Sequence, residues 1–253
     1  MEAAIFSRER PTVGSILSLT FKIYFTKFIP ITTIGLIAAA PLVAVFLGAG
    51  LIGTQVLFGG AIFAAGLLGM LVTYPAGYSA ALYAVFQAAM GRPVDIGQCL
   101  GVGFRKLPKS IGVMFLTSLA TMLGLLAFVI PGIYAYLTWL VSVPVVTVEE
   151  TGVTGAIERS SQLMKGFKGT AFGVVFVLAV LNGGMSMVAG VLLAIMGQAQ
   201  GLSGQSTGLS AAMNLVLSTI NLGLGVVAGG LIYFAVRSAK ESIGADAIAA
   251  VFE

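Results

Sequence analysis

The chain has 253 residues, of which 58% are hydrophobic and 9% are charged, with a formal net charge of +4. Soluble domains carry roughly 25% charged residues, so this composition excludes an ordinary soluble domain and indicates an integral membrane protein. The chain contains no histidine, which excludes imidazole as a base, nucleophile or metal ligand. Cys99 is the only cysteine, so no internal disulfide can form.

The amino-terminal segment carries Arg8 and Arg10 before Pro11. It lacks the short apolar stretch and small-residue cleavage site of a signal peptide, so we expect no segment to be removed.

Three uncharged runs, 28–91, 110–148 and 169–236, separate the charged clusters. A helix needs about 20 residues to cross the hydrocarbon, so each run has room for two helices. The sequence therefore predicts six membrane spans: Ile29 to Leu47, Val56 to Val85, Ile111 to Ile130, Ile133 to Val148, Thr170 to Gly197 and Leu209 to Val236.

The connections inside the runs have different turn signals. Pro131-Gly132 predicts a tight turn in the middle run, because proline ends a helix and glycine permits the reversal. The polar stretch 198–208 predicts an outer loop in the last run. The first run has a softer break over 48–55, and we expect Pro75 to kink the second span without ending it.

The basic residues predict the orientation of the chain. With two spans in each run, all 13 Lys and Arg residues fall on one side of the membrane. The positive-inside rule then places both termini in the cytoplasm, as in a multi-pass protein of the bacterial inner (plasma) membrane.

A segment with helical, amphipathic spacing precedes each pair of spans. In the first, Lys22 shares a polar face with Ser15 and Ser18; in the second and third, Asp95 and Thr154 are candidate caps. The predicted fold class is therefore an all-α integral membrane protein with six transmembrane helices as three hairpins, each preceded by an amphipathic interfacial helix. We predict a single membrane domain over 1–253, with repeat units 12–91, 92–150 and 151–236 and a cytoplasmic tail, 237–253. The alternative is that inner loops are amphipathic and basic in general, without duplication.

One part of the chain resembles a known family. The similar residues are Pro131-Gly132-Ile133-Tyr134, Trp139, Pro144-Val145, Val148-Glu149, Ala156 to Ser160 and Leu163 to Gly166, together with Thr12 to Leu17, Phe28 and Gly91 to Val94. They resemble the membrane domain of glycerophosphoryl diester phosphodiesterases and of related bacterial multi-span proteins. The resemblance implies a membrane domain without the catalytic barrel. Because that barrel uses His and Glu around a metal, and this chain has no His, we expect no enzymatic activity, metal or cofactor.

Polar residues at the inner ends of the spans are the candidate contacts to lipid or a partner. Glu149 and Arg159 predict an ion pair or a helix cap, and the alternative is a headgroup or partner site made by Glu149, Arg159 and Ser160. We expect further basic residues to face anionic headgroups: Arg105, Lys106, Lys109, Lys165 and Lys168.

Small and polar residues inside the last spans predict helix contacts. Gly225 and Gly229 form a GxxxG pattern that permits close packing within the chain or, as the alternative, between two copies. The amides Asn182, Asn214 and Asn221 predict hydrogen bonds across the last hairpin, with a polar solute path as the alternative. Because no ionisable residue lies in the middle of a span, ion-driven transport is disfavoured.

The sequence thus predicts a non-enzymatic polytopic membrane protein that organises lipid or a partner protein at the cytoplasmic face. The partners would be anionic membrane lipids and either another protein or a second copy of the chain, with no nucleic acid. The alternative is a transporter or channel for a small amphipathic or lipid-like solute. A central cavity among the hairpins would favour this alternative, whereas a filled, glycine-packed centre would favour the first hypothesis.

Overall fold

The computed structural model describes residues 11–199 and 207–241, with side chains over 11–195 and 212–241. Within those ranges the chain forms ten α-helices. They are α1 (Val13–Thr26), α2 (Phe28–Ala39), α3 (Pro41–Ile52), α4 (Val56–Ala89), α5 (Ile96–Ala127), α6 (Val129–Trp139), α7 (Ser142–Val148), α8 (Val153–Met164), α9 (Lys168–Ala199) and α10 (Thr207–Glu241).

Six helical segments within the described residues are long and apolar enough to cross a membrane, which confirms the predicted number of spans. They are Phe28–Ile52, Val56–Ala89, Ile96–Ala127, Val129–Val148, Lys168–Ile195 and Ala212–Glu241. The predicted break over 48–55 is found at 53–55, and α4 continues through Pro75. The predicted outer loop falls largely on 200–206, outside the described residues.

Two of the six spans are interrupted, and proline accounts for both interruptions. Pro41 begins α3 after a break at Ala40, which divides the first span. Pro144 has no N–H to bond the carbonyl of Leu140, and the fourth span breaks at Leu140 and Val141. Proline is tolerated in the first turn of the helices that follow, where intrahelical N–H bonds are missing anyway.

The tight turn of the middle run is not at Pro131-Gly132, as the sequence predicted, but at Phe128. Phe128 is extended (φ −164°, ψ 154°) between α5 and α6, and Pro131 and Gly132 lie in the first turns of α6. Gly132 instead permits close packing of the two helices, because a Cβ there would lie 2.4 Å from Leu125 side-chain atoms. Proline is accepted in a first turn, so it did not mark the end of the helix.

The segments that precede the predicted hairpins differ from one another. Thr12 caps α1, with its side chain accepting a hydrogen bond from the Ser15 amide at 3.2 Å. The predicted cap at Asp95 is present and accepts from the Gln98 amide at 3.1 Å, but the helix that follows is continuous with the third span as α5. The third segment is α8, whose N-cap is Gly152 rather than Thr154.

The core lies between the carboxyl-terminal halves of α4 and α10. Phe86 of α4 packs edge-on against Phe234 of α10, with ring centroids 4.6 Å apart, and Tyr233 packs beside them. α4 also packs along α2, α3 and α5, whereas α9 contacts its neighbours much less extensively. The fifth span is therefore the most loosely attached of the six.

Glycines bring α10 close to its neighbours, but they are not the predicted pair. Gly225 is exposed, and a Cβ there would meet no atom within 4 Å. A Cβ at Gly223 would lie 2.5 Å from the ring of Tyr24, and one at Gly230 would lie 3.0 Å from Leu82. Gly229 is buried against the hydroxyl of Tyr78, at 3.0 Å from its Cβ position. Close packing thus involves Gly223, Gly229 and Gly230, because they, unlike Gly225, face the core.

Candidate functional site

The predicted pair of Glu149 and Arg159 is present at the carboxyl-terminal end of the fourth span, on the side that the basic residues predict to be the inner one. Glu149 follows the last residue of α7, and Arg159 Nε donates to its Oε2 at 3.2 Å. The intervening turn and the first half of α8 bring the two residues together, although they are ten positions apart in the sequence.

Three residues from the end of α10 complete this arrangement, which we call the inner cluster (Glu149, Arg159, Tyr233, Arg237 and Glu241). Arg237 Nε donates to Glu241 at 3.0 Å, and Glu241 also pairs with Arg159. The Tyr233 hydroxyl donates to Glu149 at 2.9 Å and accepts from Arg237 at 2.8 Å. Residues 237–241, which the sequence assigned to a cytoplasmic tail, therefore belong to the last helix.

The inner cluster joins three helices through ion pairs, as the first of the two predictions for Glu149 and Arg159 requires. The three helices are α7, α8 and α10, and the two arginines are matched by two glutamates. A headgroup or partner site at the same residues stays a prediction. Ser160, which the sequence grouped with Glu149 and Arg159, is fully buried and donates to the carbonyl of Thr138 at 3.0 Å. Its side chain faces away from the cluster because it lies on the buried face of α8.

The other predicted headgroup contacts lie on α5, just after α8 and at the start of α9. Arg105 and Lys165 are exposed, whereas Lys106, Lys109 and Lys168 are half-buried. Lys168 Nζ lies 3.4 Å from the centroid of the Tyr134 ring, a cation–π contact. Among the described residues, none of these five basic side chains forms a salt bridge, and no group of metal-binding side chains is present.

A large cavity of about 1030 Å³ lies between α4, α5 and α6 and reaches the start of α7. It is open to the surface of the molecule, since its lining residues Leu71, Phe115 and Met122 are 60–64% exposed. Its walls are mostly apolar and include Met70, Met114 and Met122. A few hydroxyl groups interrupt the apolar surface, from Thr117, Ser118 and Thr121 on α5. Pro75 also lines the cavity and has no N–H for the carbonyl of Leu71, one helical turn before it.

A second, small cavity of about 510 Å³ lies between α4, α6, α9 and α10. Asn182 of α9 and Asn221 of α10 line it, and the Asn221 amide donates to the Asn182 oxygen at 2.6 Å. This bond confirms one of the predicted hydrogen bonds across the last two spans. The exposed Gly225 lines the same cavity.

The two cavities meet at three tyrosines, Tyr74, Tyr78 and Tyr136, which line both of them and are called the tyrosine junction here. Tyr74 and Tyr78 are one turn apart on α4, and Tyr136 faces them from α6. Tyr74 is 40% and Tyr136 44% exposed, so their rings border open space. Within the described part of the chain, none of the three hydroxyls donates a hydrogen bond to protein.

Sequence reasoning missed this site. The spacing of Tyr74 and Tyr78 places both on one helix face, beside the helix-distorting Pro75, and this was the available signal. Tyrosines in apolar spans are usually attributed to the membrane interface, but Tyr74 lies near the middle of α4.

The chain is similar to proteins known from other bacteria. It is 32% identical over 79 residues to proteins named UPF0259 membrane protein from Yersinia pestis (strain Pestoides F) and Yersinia pseudotuberculosis serotype IB (strain PB1/+), which is 31% of this chain and 31% of theirs. The match thus spans about a third of the length of these relatives. No solved structure matches the chain.

These relatives and the six apolar helices identify a multi-pass membrane protein. Residues 104–252 match the family described as "Domain of unknown function (DUF8558)", a segment that runs from α5 past the end of α10. The match includes Tyr136 and the inner cluster, whereas Tyr74 and Tyr78 precede it. Since the matched segment is more than half of the chain, the protein belongs to this family.

Proposed function

We propose that this protein binds a lipid or lipid-like molecule between its membrane helices and thereby organises lipid at the membrane. The observation that supports the proposal is the pair of adjoining cavities that meet at the tyrosine junction. The small cavity is within the range of about 300–1,000 Å³ typical of small-molecule sites, and the large one slightly exceeds this range. Mostly apolar walls with a few polar groups are also typical of such sites.

The proposal includes a specific arrangement in the bilayer. We propose that α1 and α8 lie in the inner interface and that the spans form three hairpins, with both termini in the cytoplasm. Exposed Glu158 and Gln162 opposite buried Ala156 and Leu163 on α8 support an interfacial position. Five basic side chains that form no salt bridge to the described residues would then lie near anionic headgroups: Arg105, Lys106, Lys109, Lys165 and Lys168.

The resemblance to the membrane domain of glycerophosphoryl diester phosphodiesterases is part of the same proposal. It would relate the chain to a membrane architecture that accompanies lipid-related enzymes, without their catalysis. The absence of histidine in the sequence supports a non-enzymatic role.

Transport of the bound molecule is the second candidate function. The open space between the helices supports it, whereas the filled core around Phe86, Tyr233 and Phe234 supports binding without transport. The loose attachment of α9, which forms one wall of the small cavity, also supports transport, because movement of this helix would open the cavity sideways to lipid. Flux of a labelled lipid between leaflets of vesicles, dependent on the protein, would distinguish transport from binding alone.

Native mass spectrometry after mild detergent extraction tests the proposed function. Ser118→Phe places a ring in the large cavity, and Leu119→Phe, at the next and outward-facing position of α5, is the matched control. We expect Ser118→Phe to lose most of the co-extracted lipid that the wild type and the control retain. Equal lipid retention by all three proteins would contradict the proposal.

A further inference from the structure

The chemistry of the cavity walls restricts the molecule that can enter. Among the described residues, no Asp, Glu, Lys or Arg lines either cavity. Both cavities are open at the surface of the spans, so a charged group in them would lie beside hydrocarbon without a charged partner, which is costly for a phosphate or ammonium headgroup. An uncharged polar group would not incur this cost.

Uncharged hydrogen-bonding groups converge where the cavities meet. The hydroxyls of Tyr74, Tyr78 and Tyr136 make no hydrogen bond to the described protein, and each can donate one and accept others. A hydroxyl without a hydrogen-bond partner in an apolar environment costs free energy, and a purely hydrocarbon ligand would provide no such partner. A ligand with a carbonyl or hydroxyl group would satisfy them.

The amide pair adds complementary groups on the side of the small cavity. The bond between Asn221 and Asn182 uses one amide hydrogen of Asn221 and the oxygen of Asn182. The NH₂ of Asn182 and the oxygen of Asn221 are not used in that bond, so the small cavity offers both a donor and an acceptor. The large cavity beyond the tyrosines is mostly apolar and offers space for a hydrocarbon chain.

From this distribution we infer that the ligand is a neutral lipid. Its uncharged carbonyl or hydroxyl head contacts the tyrosine junction and the amide pair near mid-membrane, and its hydrocarbon part fills the large cavity. The inference depends on the proposed function, since it names the chemical class of molecule that the same site binds. Phospholipids with charged headgroups would instead remain at the inner surface, beside the basic side chains.

Photolabelling with two lipids tests the inference. The probes are a diacylglycerol and a phosphatidylglycerol that carry the same diazirine-modified acyl chains, applied to the purified full chain in nanodiscs. We expect the diacylglycerol to label peptides of α4, α5 and α6 saturably and at least five-fold more strongly than the phosphatidylglycerol. The double variant Tyr74→Phe/Tyr136→Phe should abolish most of this preference.

Tyr134→Phe is the matched control, because Tyr134 lies on α6 two residues before Tyr136 but lines neither cavity. Equal or stronger saturable labelling by phosphatidylglycerol, or an unchanged preference in the double variant, would overturn the neutral-lipid inference and leave the proposed function intact. Absence of saturable labelling by both probes would overturn both. If the double variant does not fold, the comparison of the two probes on the wild type still decides the inference.

Discussion

Glu149 accepts hydrogen bonds from residues of two different helices, Arg159 of α8 and Tyr233 of α10, and lies within 3.9 Å of Arg237. Charges that are mostly removed from water contribute to stability only when they are matched. In the inner cluster two arginines are matched by two glutamates, so the loss of one charged side chain leaves an opposite charge without its partner.

Removing one charge from the inner cluster should therefore destabilise the protein. Arg237 is the most buried of the four charged residues, with a side chain 11% exposed. We expect Arg237→Ala to lower the free energy of unfolding by about 2 kcal/mol, because Glu149 and Glu241 lose a partner while remaining partly exposed to solvent. Reversible unfolding in mixed micelles measures this change. Arg105→Ala, at an exposed position without a salt bridge to the described residues, is the control. Equal free energies of unfolding for Arg237→Ala and Arg105→Ala would contradict a stabilising role of the inner cluster.

Two glycines of α10 test which face of this helix packs against the rest of the chain. We expect Gly223→Ala to destabilise the protein by about 1–3 kcal/mol, because its Cβ would lie 2.5 Å from the buried ring of Tyr24. Gly225→Ala meets open space and should be neutral. The apparent melting temperatures of the two variants in the same detergent make the comparison. A larger loss for Gly225→Ala would instead support a contact between copies of the chain.

The sequence could predict the pair of Glu149 and Arg159, because only one short turn separates the end of α7 from the helix that carries Arg159. It could not predict Arg237 and Glu241 as their partners, since these lie on the last helix, and their proximity depends on how α10 packs against α8. For the same reason, the GxxxG spacing identified a small-residue helix but not the face that packs.

At the scale of the helices, α9 is attached to α10 through few contacts, among them the hydrogen bond between Asn182 and Asn221. A double-mutant cycle with Asn182→Leu and Asn221→Leu measures this bond separately from other effects. We expect a coupling energy of about 1 kcal/mol, typical of side-chain hydrogen bonds between membrane helices. Additive effects of the two substitutions would show that the bond does not hold the helices together.

The helices themselves were predictable because hydropathy and charge spacing are local properties. The six spans follow from the uncharged runs, and the cap at Asp95 follows from its neighbours. The reversal at Phe128 was not predictable from proline and glycine, since Pro131 fits the first turn of α6 as well as a turn. The continuity of α5 from Ile96 to Ala127 also contradicts a boundary expected from charge alone.

At the scale of the whole molecule, the distribution of basic residues predicts the orientation. In a Cys99→Ser background, Thr54→Cys lies in the exposed turn between α3 and α4, and Thr154→Cys lies on the exposed side of α8. We expect a membrane-impermeant maleimide added to intact spheroplasts to label Thr54→Cys only, and Thr154→Cys after permeabilisation. The opposite labelling would place both termini outside.

The cavities are a property of the whole molecule and had no signal in composition or periodicity. They lie on the sides of α4 that face α5, α6 and α9, whereas α4 packs closely on α3 through Gly48, whose Cβ position lies 2.3 Å from the backbone of Phe63. A sequence shows which residues are large or small, but not whether the space between three helices is filled.

The most direct test of lipid binding in the cavities is methyl NMR of the methionines during titration with diacylglycerol. Met70, Met114 and Met122 line the large cavity and Met185 lines the small one, whereas Met164 is buried in the core away from both. We expect saturable shifts of the four cavity signals, with the Met164 signal unchanged. Signals that stay constant, or that all shift together without saturation, would contradict the claim that a lipid occupies these cavities.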